Sequence, residues 1–180
     1  TRRNLAVARR LGVVDEVATE LERAVRDADF VLIGTPVGQM PEIMARIAPH
    51  LPDHAVITDA GSTKQDVIAC ARRFLGDRFS QFVPAHPIAG MEKNGAAAAV
   101  PDLFQGRNVI LTPQRETAAA AVRKVRAAWA RCGARIVRLD AAEHDAIFAA
   151  VSHLPHVAAF ALVNALAHRP DARRLFGFSG

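Results

Sequence analysis

The sequence predicts an α/β fold with a parallel sheet, followed by the beginning of a mainly helical domain, and three observations carry that reading. Between residues 20 and 139, short apolar runs bounded by turn residues alternate with segments of helical periodicity. Such alternation means parallel strands joined by right-handed crossovers, with helices covering both faces of the sheet. The run at 29–34 is continuously apolar, as in a strand buried on both faces. After residue 140 the composition changes to a glycine-free stretch, 142–168, rich in Ala, Val, Leu and Phe.

Residues 4–11 have helical composition, and Gly12 is placed to stop that helix. Residues 13–17 are short and apolar, a strand or a turn. Residues 20–28 read as helix, with Leu21, Ala24 and Val25 on its apolar face. The strand at 29–34 ends in Thr35-Pro36-Val37. In the helix at 39–51, Met40, Ile43, Met44 and Ile47 recur at helical spacing and read as core. A strand at 55–59 closes in Ala60-Gly61-Ser62-Thr63-Lys64, helix resumes over 65–75, and a strand at 79–83 leads into Pro84-Ala85-His86-Pro87-Ile88-Ala89-Gly90. Proline fixes φ and pushes the residue before it toward extended conformations, so this stretch is expected to be a stiff turn holding one imidazole at a strand end.

Residues 91–100 read as a loop with a short helix and 109–112 as a strand. An amphipathic helix follows at 116–131, burying Ala118, Val122, Val125 and Trp129 and exposing Arg123, Lys124, Arg126 and Arg131. A last strand spans 134–139. The stretch 142–168 reads as one long helix whose apolar positions run nearly all round, which calls for burial on several sides. Pro155 deletes a backbone donor inside it and predicts a kink. We therefore expect a boundary near Asp140, dividing the chain into 1–140 and 141–180.

At 180 residues and 51% hydrophobic content the chain can bury a substantial core. The formal charge is +5 and the isoelectric point near 10.2, but the arginines are dispersed. With 6% aromatics and no tyrosine there is no base-stacking platform, which argues against nucleic acid and leaves anionic small molecules as the partners a basic surface would steer. Cys70 and Cys132 lie in no metal-type or redox-type pair and read as reduced, buried residues of a cytoplasmic protein. No apolar run approaches the ~20 residues of a membrane span, and no secretory signal opens the chain.

In parallel sheets ligands bind in the crevice at the carboxyl ends of the strands. Thr35-Pro36, Gly61-Ser62 and His86 all fall at that edge. Gly61-Ser62 can offer amides and a hydroxyl to a polar ligand at a helix N-terminus, or Ser62 or Thr63 can simply cap the helix. Lys64, in the first turn, opposes the dipole preference and so favours a ligand-facing role. For His86 alone, a surface histidine in a stiff loop competes with a site residue. His153 and His156 share a helical face, but zinc needs three or four ligands and His144 is out of phase, so no metal is expected. A nucleophilic reading of Ser62 or Ser152 with His86 lacks a nucleophile elbow and a third member.

Asp59-Ala60-Gly61-Ser62-Thr63-Lys64, then Ala85-His86-Pro87-Ile88-Ala89-Gly90 with Glu92, then Ser152-His153-Leu154-Pro155-His156 form an ordered set. That set resembles the prephenate and arogenate dehydrogenases of tyrosine biosynthesis, over nearly the whole chain. The resemblance implies a Rossmann-like doubly wound dinucleotide-binding domain whose N-terminal strands are missing from this chain, then the start of an α-helical dimerisation domain. It implies oxidative decarboxylation: hydride leaves the hydroxyl-bearing ring carbon, carbon dioxide departs and the ring becomes aromatic. On the matching positions, His86 would accept the substrate hydroxyl's proton, a role that needs neutral imidazole and fails as pH drops through its pKa. Ser62 would orient His86, and Ser152, His156 and Glu92 would meet the substrate. Thr35, Pro36, Val37, Gly61 and Ser62 would line NAD or NADP, and a homodimer is implied.

The family's Gly-x-Gly-x-x-Gly fingerprint does not occur among the eleven glycines, and its substrate-carboxylate arginine is expected beyond residue 180. The sequence is therefore expected to be the middle of a longer enzyme. Arg2 and Arg3 fall where positive charge favours a 2′-phosphate, which favours NADP. Two other readings stand beside this one: a different two-domain NAD(P) dehydrogenase of a small hydroxy or imino acid, and a non-catalytic nucleotide-sensing or dimerisation module.

Overall fold

The computed structural model describes residues 2–91, 93 and 95–178. The chain divides into two compact units, Thr1–Ala141 and Ala142–Gly180, each described by itself below.

The first unit opens with α1 (Arg2–Arg10), which stops at Gly12 in the left-handed region at φ 67°. Residues 13–17 are turn and irregular backbone with Val13, Val14 and Val17 exposed, so this apolar run has no strand to pair with. After α2 (Leu21–Val25) come β1 (Phe30–Ile33), α3 (Met40–Ile47), β2 (Val56–Asp59), α4 (Gln65–Leu75) and β3 (Phe82–Val83). The strands form a parallel sheet in the order β1-β2-β3, with Phe30 opposite Val56 and Ile57 opposite Phe82. Met40, Met44 and Ile47 of α3 and Val67, Ile68 and Ala71 of α4 pack into one core with Ile57 and Phe82.

Two expectations about this sheet need correction. β1 is not buried on both faces: it is the edge of the three strands, Leu32 is 49% exposed, and an open groove of about 300 Å³ runs past Leu21, Val25, Phe30 and Ile43. The strand expected at 79–83 keeps only two residues, because Gly76–Gln81 winds into 3-10 turns that turn Phe79 into the core.

The second sheet has the order β4-β5-β6, from β4 (Ala85–Pro87), β5 (Asn108–Leu111) and β6 (Arg135–Arg138), with α5 (Ala119–Arg131) between β5 and β6. β5 and β6 are parallel, but β4 runs antiparallel to β5, with His86 opposite Ile110. The uniformly parallel sheet expected from the alternation is thus two sheets of three strands. His86 correspondingly lies in a short strand and not in a turn. Pro84, which lacks an N–H, separates β3 from β4, and its carbonyl accepts from Thr112 N–H at 3.1 Å. The proline ends the ladder with β2 and passes the chain to β5 within one residue. Val83, Ala85, Val109, Leu111, Val125 and Trp129 make the second core, where Trp129 meets Phe104 edge-on at 5.1 Å between ring centroids. Cys70 is half-buried, whereas Cys132 lies just past α5 and is exposed, not buried as expected.

The second unit contains all but the first residue of a helix of 27 residues, Ala141–Ala167, followed by α8 (Ala172–Phe176). Its segments are α6 (Ala141–Phe148), a π turn (Ala149–His153) and α7 (Leu154–Ala167). Leu154 N–H bonds the carbonyl of Ala149, five residues back, directly before the Pro155 ring that would crowd the carbonyl of an α-helical Val151. The proline is thus accommodated by one widened turn. Burial on several sides does not occur within this chain: Val151, Leu154, Val157, Leu162 and Val163 are all exposed, and Phe160 is 74% exposed. The expectation that no stretch rivals a membrane span also fails, because this helix is long and apolar enough to cross one by length and composition.

Candidate functional site

β2 ends in Asp59, a carboxylate with no exposed surface, and what this residue holds organises the sheet edge. Its Oδ2 accepts the Gly61 N–H at 2.8 Å and the Lys64 ammonium at 2.5 Å, and its Oδ1 accepts the Ala85 N–H at 3.0 Å. Lys64 is also fully buried and donates to the Ala85 carbonyl at 2.7 Å. Ala85 can take these bonds because of its register. Thr112 N–H bonds Pro84 O and Ile88 N–H bonds Asn108 O, so in β4 the even-numbered residues bond to β5. The polar groups of Ala85 therefore face β2, where the main-chain ladder has stopped, and the Asp59 and Lys64 side chains stand in for it.

Burial pushes the Asp59 carboxyl above the usual carboxylate range, while the Lys64 ammonium and the Ala85 and Gly61 amides pull it back. Two charges withdrawn from water with all their near donors and acceptors engaged make a stiff joint, since breaking it would leave a buried charge unpaired. Gly61 is required beside it. A Cβ there would come within 2.9 Å of Asp59 Oδ2 and 3.1 Å of Met40 and Val37 side-chain atoms.

This joint sets the positions of Ser62 and His86. Ser62 lies between Gly61 and Lys64, both tied to Asp59, and its side chain is exposed at the mouth of the β2–α4 turn. His86 is half-buried and follows Ala85; strand pleating sends its side chain to the face opposite that of the buried Ala85. At the end of β1, Thr35 is half-buried, Pro36 exposed, and Val37 begins the 3-10 turn Val37–Gln39 that leads into α3. Lys64 is not ligand-facing: it points inward because Asp59 and the Ala85 carbonyl supply the acceptors its buried ammonium needs.

Two hydroxyls at this edge, Thr35 Oγ1 and Thr63 Oγ1, are buried without a hydrogen-bond partner. Buried polar atoms are rarely left so. With the open space at Gly34 and Gly38, where a Cβ would meet nothing within 4 Å, they fit the polar, flat end of a dinucleotide.

In the second unit, Ser152 lies in the π turn and His156 in the first turn of α7. His156 Nδ1–H donates to the Ser152 carbonyl at 2.7 Å, which leaves Nε2 as the ring's outward-facing polar atom. Ser152 is half-buried and His156 exposed. Glu92 lies outside the described residues. Among the described residues, no group of three His, Cys, Asp or Glu side chains could hold a metal ion. Sequence reasoning missed Asp59 as a structural anion and misread Lys64. The available signal was an acid at the last position of a buried strand with a lysine five residues on, across a glycine.

The chain matches the nucleotide-binding domain of prephenate dehydrogenase over residues 2–138 and the prephenate dehydrogenase dimerization domain over residues 140–180. It is 41% identical to the cyclohexadienyl dehydrogenase of Zymomonas mobilis over 156 residues, which is 87% of this chain and 53% of that protein. It is 38% identical to the prephenate dehydrogenase of Bacillus subtilis over 162 residues, 89% of this chain and 43% of that one. The chain thus spans about half the length of these curated relatives. Its fold matches a crystal structure of Aquifex aeolicus prephenate dehydrogenase in complex with hydroxyphenyl propionate and NAD+, with a TM-score of 0.88 and 34% identity over 95% of this chain and 60% of that one. With two consecutive domain matches that run through nearly all its residues, the chain belongs to the prephenate dehydrogenase family.

Proposed function

We propose that the protein oxidises prephenate, or its amino-acid counterpart arogenate, with NAD(P) as hydride acceptor, and that it acts as a cytoplasmic homodimer. The observation that carries this reading is the convergence at one sheet edge of the Ser62 turn and the His86 strand on a single buried carboxylate, Asp59. His86 accepts the proton of the substrate hydroxyl, and Ser62 orients the imidazole. The nicotinamide supplies the hydride sink. As hydride leaves the hydroxyl-bearing ring carbon, the bond to the ring carboxylate breaks, its electron pair aromatises the ring and carbon dioxide departs. Thr35, Pro36, Val37, Gly61 and Ser62 line the cofactor, and Ser152, His156 and Glu92 meet the substrate.

The domain junction falls near Asp140 in this reading. The exposed face of α7 packs in the dimer, which the relatives' dimerization domain supports. Arg2, Arg3, Arg9 and Arg10 make α1 strongly basic, which supports NADP over NAD through a 2′-phosphate. The test is to add prephenate and then arogenate to the intact protein with each cofactor and follow reduced nicotinamide by its absorbance. Turnover of either substrate is expected, with the higher kcat/KM on NADP. A folded protein that reduces neither cofactor with either substrate refutes the reading.

A further inference from the structure

We infer that Asp59 is a positioning residue for hydride transfer: its buried carboxylate fixes Ser62 and His86 relative to each other, so that the oxidation depends on it although it meets no substrate. This inference rests on the dehydrogenase reading of Ser62 and His86.

Three observations carry it. Asp59 is fully buried, so its negative charge serves no solvent or ligand contact. Its two oxygens divide their bonds between the two site segments: Oδ2 holds Gly61 N–H, one residue before Ser62, and Oδ1 holds Ala85 N–H, one residue before His86. The main chain offers no substitute there, since the pairing of β2 with β3 extends only as far as Thr58 opposite Val83, and Pro84 has no N–H to continue it. Lys64, two residues after Ser62, closes the same loop through the Ala85 carbonyl. A carboxamide in place of the carboxylate keeps the size but turns one acceptor into a donor, and so sets an N–H against the amide or the ammonium it should accept from. Reaction rates are sensitive to displacements below an ångström when a donor carbon, an acceptor and a base must align.

The experiment compares wild type, Asp59→Asn, the charge-neutral pair Asp59→Asn with Lys64→Met, and Thr58→Val in the intact protein. The Thr58 hydroxyl donates to the Val83 carbonyl at 2.7 Å on the same β2–β3 seam, without touching either site segment. Rates are expressed per folded molecule, and prephenate deuterated at the hydroxyl-bearing ring carbon gives the isotope effect. For Asp59→Asn we expect kcat to fall by about 10- to 100-fold, KM for both substrates to stay within about 3-fold, and the deuterium isotope effect on kcat to rise as hydride transfer becomes limiting. The paired variant, which leaves no unpaired buried charge, should fold and show the same kinetic pattern. Thr58→Val should lose stability yet keep wild-type kcat and isotope effect. A kcat within 3-fold of wild type in either Asp59 variant overturns the inference, and so does a loss that follows the unfolded fraction with an unchanged isotope effect. Failure of the wild type itself to oxidise prephenate or arogenate would instead refute the reading on which the inference rests.

Discussion

The two units handle polarity and exposure in opposite ways. At the sheet edge a charged pair is buried completely, and the Lys64 ammonium and the Ala85 and Gly61 amides all find acceptors. Along the 27-residue helix, apolar side chains such as Leu154, Val157 and Phe160 stand in the open. The first arrangement is self-sufficient, because it closes within residues 59–85 and needs no other chain. The second is unfinished: each exposed Leu, Val or Phe forgoes about 1.5–3 kcal/mol of burial, an amount that any apolar surface packed on it would recover.

Substitutions in both regions can break or sharpen that contrast. The largest effect is expected from His86→Asn, which removes the proposed base without disturbing Ala85. Turnover should fall by about 10²- to 10⁴-fold, the usual contribution of a general base, with cofactor affinity by fluorescence titration nearly unchanged; turnover within a few-fold of wild type would remove His86 from its role. Next is Lys64→Met, which strands the Asp59 carboxylate. Urea unfolding should show a loss of about 3–5 kcal/mol, and a loss under 1 kcal/mol would mean that the pair is not the joint described above.

Phe160→Asp tests the other region. It should leave the chain folded by circular dichroism while weakening self-association by about 2 kcal/mol or more, seen by sedimentation as a shift toward monomer. An unchanged dimer would show that this face packs nothing. The smallest effect is expected for Val157→Ala in the monomeric state, within about 0.5 kcal/mol of wild type by thermal melting. A larger loss would mean that Val157 is already covered within one chain.

Much of the fold can be read from local pattern. The helix expected at 65–75 is α4, Gln65–Leu75, and the strands expected at 29–34 and 55–59 contain β1 and β2, since continuous apolar runs and helical periodicity report on burial that local segments share. The antiparallel β4 was hidden because Pro84 before it and Pro87 at its end read as turn formers, while the pairing that makes it a strand comes from residues 108–111, more than twenty positions away. Ser62, His86, Ser152 and His156 draw attention by residue type, beside turn-forming residues and next to the helical Pro155. Asp59 draws less, because a carboxylate at a strand end reads as a solvent-facing cap, and the lysine five residues on gains meaning only when Gly61, Lys64 and Ala85 are seen together around it. The exposed α7 has the same origin: apolarity all round a helix says that cover is needed, not which chain supplies it.

The π turn at Ala149–His153 also acts as a spacer of angle. An α-helix advances by roughly 100° per residue, so taking one more residue into a single turn rotates everything after it without interrupting the rod. Ser152 and His156 therefore face in a direction that the register of His144 and Phe148 alone would not give them. Deleting one alanine from this turn would return the chain to α register, set the Pro155 ring against the carbonyl four residues back and bend the rod there, so that residues 154–167 would change both their facing and their direction while circular dichroism still reported a helix.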